Sequence, residues 1–85
     1  MSIVASEARL IELLGACRGL IPDEQLEDML ELAQALEPCI ALENLATQLY
    51  EYDVRVSSEI AAELQALGNG MGLQAKYWER LRRAP

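Results

Sequence analysis

Apolar residues recur in this chain at helical spacing, in five separate runs. The clearest lies in "IPDEQLEDMLELAQA", where Leu26, Met29, Leu30 and Ala33 fall at i, i+3, i+4 and i+7. That spacing draws one stripe along a helix, whereas a strand alternates between its two faces. At about 100° per residue, Asp23, Glu24, Glu27 and Glu31 gather beside the stripe. The segment therefore pairs an apolar face with an acidic one. Helices of this kind are stable when their stripes are buried against each other, so the pattern predicts a bundle.

The other runs follow the same rule. The first spans about Ser6 to Cys17, with Leu10, Ile11, Leu13, Leu14 and Cys17 on its apolar side and Gly19 as a C-terminal cap. In the second, Pro22 suits a first helical position, and Asp23 and Glu24 sit where the helix dipole favours anions. "ALEPC" interrupts the chain, because Pro38 disfavours a helical Glu37 and suits the start of the next helix. The third run extends from about Cys39 to Tyr52, with Leu42, Leu45, Ala46 and Leu49 inside. "DVRV" alternates like a short strand but has no evident partner, so a turn is expected there. Ser57 or Ser58 then caps a fourth helix reaching Leu67. The glycines of "LGNGMGL" are read as a break between helices. A phosphate loop is disfavoured, because no strand precedes them. A fifth helix is expected over about Met71 to Arg83, with Leu73, Tyr77 and Leu81 inward and Trp78 beside them. The expected fold is all-α: one domain over residues 1–85, a compact bundle of four to five short antiparallel helices.

Composition supports a packed core. Fifteen Leu, five Ile and three Val supply it without any Phe. A chain of 85 residues has little surface to bury, so it needs this density. The opening "MSIVASEARLIELLG" carries no basic region ahead of its apolar residues, so no leader is expected and the cytoplasm is the expected compartment. Cys17 and Cys39 are then expected to stay reduced and to act as small hydrophobes.

There is no histidine. That removes the commonest general base and the commonest metal ligand, and no CxxC, GxSxG or EF-hand pattern appears. The expectation is a protein without catalytic residues, metal or cofactor, and without a small-molecule substrate.

Charge narrows the partner. Fourteen acids oppose seven bases, a net −7. From Asp23 to Glu63 there are eleven acids and one base, Arg55, a net −10; from Leu64 to Pro85 four bases and one acid give +3. Nucleic acid and anionic membranes require a cationic footprint, so neither is an expected partner. A basic protein suits the central segment. The third helix adds candidates for contact: Glu43, Asn44, Gln48, Tyr50, Glu51, Tyr52 and Asp53. These residues suit either a solvated edge of the core or a binding face, since tyrosine buries much area with few torsions. Together with Asp23, Glu24, Glu27 and Glu31 they form the predicted contact set.

The stretch "GLIPDEQLEDMLELAQALEPCIALENLATQLYEYDV" resembles the MafI family of immunity proteins. "GLIP" (Gly19–Pro22) precedes an acidic helix, a short turn follows, and "ALENLATQLYEYDV" (Ala41–Val54) comes next. "MGLQAKYWERL" (Met71–Leu81) places a tryptophan three residues before a leucine in the last helix. One feature departs from the family pattern: a Gly-Glu pair usually ends the second helix, where this chain has Leu36 and Glu37. The resemblance implies non-catalytic inhibition, with the chain masking the toxin domain of a cognate secreted effector, one to one. Some toxins of this group are nucleases, including EndoU-like ribonucleases. The alternative from charge and size is a small acidic helical adaptor or secretion chaperone for a basic protein. The basic last segment around Trp78, Arg80 and Arg83 is the alternative contact surface.

Overall fold

In a computed structural model, residues 3–85 are described, with side-chain burial from Ser6 onward. The expectation about a leader falls partly on Met1 and Ser2, outside the described residues. Five helices follow one another: α1 (Ile3–Ala16), α2 (Asp23–Gln34), α3 (Pro38–Glu51), α4 (Ser58–Met71) and the single turn α5 (Lys76–Glu79). Two short strands, β1 (Arg55–Val56) and β2 (Arg82–Arg83), complete the described chain. The all-α bundle expected from periodicity is the observed architecture.

The stripes meet as their spacing requires. Leu10, Leu13, Leu14 and Cys17 from α1 and its end pack with Leu26, Met29 and Ala33 of α2. Leu42, Leu45 and Leu49 of α3 and Ile60, Leu64 and Leu67 of α4 close the same core. Helices α2 and α3 run antiparallel: Gln25 at the start of α2 reaches Tyr52 just past the end of α3. Arg9 of α1 meets Glu63 of α4. That pair is bidentate, with Arg9 Nε donating to Glu63 Oε2 at 3.0 Å and Nη2 donating to the other oxygen.

Helix ends are set by local chemistry. The Ser57 hydroxyl accepts from the Ile60 amide at 3.2 Å and caps α4. Pro38 occupies the first turn of α3, while Pro22 lies just outside α2 as its N-cap in extended conformation. Two helices end in a 6→1 backbone bond around a non-glycine residue in the left-handed region. After α2 the residue is Leu36 (φ 62), with Glu37 donating to Leu32. After α3 it is Asp53 (φ 54), with Val54 donating to Leu49 and Asp53 to Tyr50. Aspartate tolerates this conformation better than leucine does.

Three expectations need correction, all toward the C-terminus. "DVRV" is not only a turn: Arg55 and Val56 pair in parallel with Arg82 and Arg83, and the Ala84 amide donates to Val56 at 2.8 Å. The glycines do not break the chain after Leu67. Gly68 and Gly70 lie inside α4, and the helix ends at Gly72, whose φ is 76. Gly68 is there because Trp78 packs on it: an added Cβ would lie 2.8 Å from Cε3 and 2.9 Å from Cη2, closer still to Cζ3. Finally, the long fifth helix is absent. Only Lys76–Glu79 is helical, and Arg82–Arg83 are extended because they pair with β1. Trp78 and Leu81 still reach the core, through a turn and an extended segment.

Candidate partner-binding surface

Asp23, Glu24, Glu27 and Glu31 are all exposed on the side of α2 away from its stripe. Gly19 (φ 89) turns the chain after α1 and leaves Arg18 beside the start of α2. Arg18 lies 3.0 Å from Glu27 and 3.6 Å from Asp23. These three side chains are more than half open to solvent or nearly so, and such pairs contribute at most about 1 kcal/mol. Their effect here is on the field: Arg18 offsets part of the charge of Asp23 and Glu27, while Glu24 and Glu31 have no ion pair among the described residues.

Asn44 and Gln48 face α2 across a shallow cavity of about 200 Å³, with Gln25, Asp28 and Met29 on the other wall. The Gln25 amide nitrogen donates to the Tyr52 hydroxyl at 3.1 Å, and its Oε1 is buried without a partner. Glu43 is half-buried one turn beyond Cys39, whose Sγ lies 3.9 Å from Oε1. Burial and then the Glu43 charge raise the Cys39 thiol above its ordinary range. Burial alone pushes Cys17 up to about 11. Both thiols are unpaired.

Tyr50, Glu51 and Asp53 belong to a separate place. With Leu49, Val54, Arg80, Leu81 and Arg82 they line a groove of about 310 Å³ between the end of α3 and the C-terminal segment. The Arg80 guanidinium stacks 4.1 Å from the centre of the Tyr50 ring. Arg82 Nε lies 3.0 Å from Asp53 Oδ1. The acidic-aromatic end of α3 and the basic last segment were separate candidates in the sequence, and the fold sets them against each other.

The predicted contact set thus divides into an exposed row on α2, a polar seam between α2 and α3, and the α3-end groove, with Glu43 apart from these beside Cys39. Tyr52 touches the seam through Gln25 and is about half exposed, as is Tyr50. Sequence reasoning missed that Arg80 and Arg82 complete the groove; the charge split between the two halves was the available signal. Among the described residues no group of three or more metal-ligating side chains occurs, and no helix is long and apolar enough to cross a membrane. The arrangement is a charged and amphipathic surface. Comparisons of the chain with protein-family models, with curated proteins and with solved structures gave no match.

Proposed function

We propose that this chain is an immunity protein of the MafI kind. It acts in the cytoplasm without catalysis, binding one to one the toxin domain of a cognate secreted effector and masking its active or substrate-binding surface. The toxin is a nuclease, EndoU-like ribonucleases being one class that fits. The observation that supports this reading is the solvent-facing acid row of α2, inside the stretch that resembles the family. A nuclease holds phosphates on a basic surface, and an acidic helix complements it in charge and speeds association.

The test is co-expression with the C-terminal toxin domain encoded next to this chain's gene. Growth rescue and a one-to-one complex by light scattering are expected, with an association rate that falls as salt rises. Absence of rescue refutes the reading. A dimer of this chain holding an unfolded segment would identify the chaperone alternative instead.

A further inference from the structure

Charge is partly compensated at one end of the α2–α3 hairpin, where Glu24 and Glu51 have no ion pair among the described residues, and not at all at the other. Where α2 begins and α3 finishes, Arg18 meets Asp23 and Glu27, and Arg82 meets Asp53. At the opposite end lies the turn Ala35–Glu37. Glu31 in the last turn of α2, Glu37 in the turn and Glu43 on α3 have no ion pair among the described residues. In the same stretch of chain, between Glu31 and Glu43 in sequence, two aliphatic side chains stand in solvent: Leu36 is 63% exposed and Ile40 46%.

Leu36 is the residue held at φ 62. Glycine would adopt that conformation without strain. The exposed leucine side chain adds little packing to the bundle in return. Ile40 lies off the stripe that α3 buries, so it too adds little to the core.

We propose that Leu36 and Ile40 anchor a docking surface for a folded basic protein domain, one that presents an apolar contact ringed by Lys or Arg. An apolar centre that excludes water within a charged rim is the usual form of an energetic hot spot. The choice of occupant follows from charge. A second copy of this chain would set Glu31, Glu37 and Glu43 against their own duplicates. An anionic membrane or a nucleic acid would meet the same repulsion. The proposal deepens the immunity reading and relies on it only for the identity of the basic domain.

Binding is measured with the catalytically inactivated toxin domain encoded next to this chain's gene. Leu36→Gly and Ile40→Ala should each raise Kd about tenfold or more through faster dissociation. Leu36→Gly should do so without lowering the melting temperature, which separates lost contact from lost fold. The triple reversal Glu31→Lys, Glu37→Lys, Glu43→Lys should slow association and flatten its salt dependence. If the double variant Leu36→Gly, Ile40→Ala binds within about twofold of the parent, where a hot spot predicts tenfold or more, this surface is wrong and the immunity reading stands. If the parent itself does not bind, the immunity reading fails and the surface is judged separately. A photo-crosslinking residue is then placed at position 40, or at exposed Ala62 on α4 as control, in producing cells. An adduct with a basic protein at position 40 alone, lost on adding Leu36→Gly, sustains the surface. No adduct, equal adducts at both positions, or an adduct with a second copy overturns it.

Discussion

The Arg80 guanidinium lies over the Tyr50 ring, its carbon 4.1 Å from the ring centre, tying the C-terminal segment to the last turn of α3. Tyr50 remains 49% exposed beneath it, so the stack works at a wet site, where such contacts contribute about 0.5–1 kcal/mol. A double-mutant cycle of Arg80→Ala with Tyr50→Leu should return a coupling of that size. Arg80→Lys should recover only part of it, because an ammonium lacks the planar face that stacks. Denaturant titration of the four proteins measures this. A coupling near zero would mean that the groove is held by Leu81 and the Arg82–Asp53 pair alone.

Gly68 should not tolerate even a methyl group. In an open helix Gly→Ala gains up to about 1 kcal/mol. Here the methyl would sit inside the Trp78 ring, and overpacking of this kind costs about 1–3 kcal/mol. Gly68→Ala should therefore destabilise despite its better propensity. Trp78 is the sole tryptophan, so its emission should shift to the red as the ring is displaced toward water. Gly15→Ala, at an exposed position inside α1 where an added Cβ meets nothing within 4 Å, is the control and should stabilise.

Leu36 and Asp53 occupy equivalent left-handed positions but should respond oppositely to glycine. Leu36→Gly relieves strain of about 1–2 kcal/mol, partly offset by the greater freedom of glycine in the unfolded chain. A net gain of about 1 kcal/mol would raise the melting temperature of a domain this size by about 4–8 °C. Asp53→Gly relieves less and loses the pair with Arg82, so it should be neutral or destabilising. Calorimetry of both variants tests the contrast.

The Arg9 hydrogen bond holds the Glu63 carboxyl below its ordinary range, against a smaller opposing effect of burial. A folded-state pKa below the unfolded one gives stability that is complete above the unfolded value. That value is about 4.3, and the contribution is lost as pH falls through the lower folded one. Glu63→Gln should therefore melt below the parent at pH 7, and the gap should narrow as pH falls below about 4.3 and on through the lower folded-state value. A gap that persists unchanged at pH 3 would assign the effect to packing.

The first four helices were legible because their stripes, prolines and Ser57 are local signals. The C-terminal third was misread for one reason in several forms: distant residues overrode local pattern. Leu73, Tyr77 and Leu81 carry helical spacing, yet pairing with Val56 pulls the chain straight after α5. Gly68 and Gly70 favour a break, yet Trp78 needs a residue without a side chain within the helix. At the surface, the acid row of α2 was readable from its own spacing. The meeting of Tyr50 with Arg80 joins residues thirty apart in sequence, and only the charge split hinted at it.

The ladder between Arg55–Val56 and Arg82–Arg83 closes a loop of chain that contains α4 and Trp78. Neither strand has another partner among the described residues, so neither can open alone. Detaching the last residues frees β1, uncovers Val56 and removes Arg82 from Asp53 in one event. Amide hydrogen exchange at Ala84, whose proton is held by the Val56 carbonyl, therefore reports how often that whole corner opens. The clasp thus ties the junction of α3 and α4, and with it the groove beside Tyr50, to the last residues of the chain.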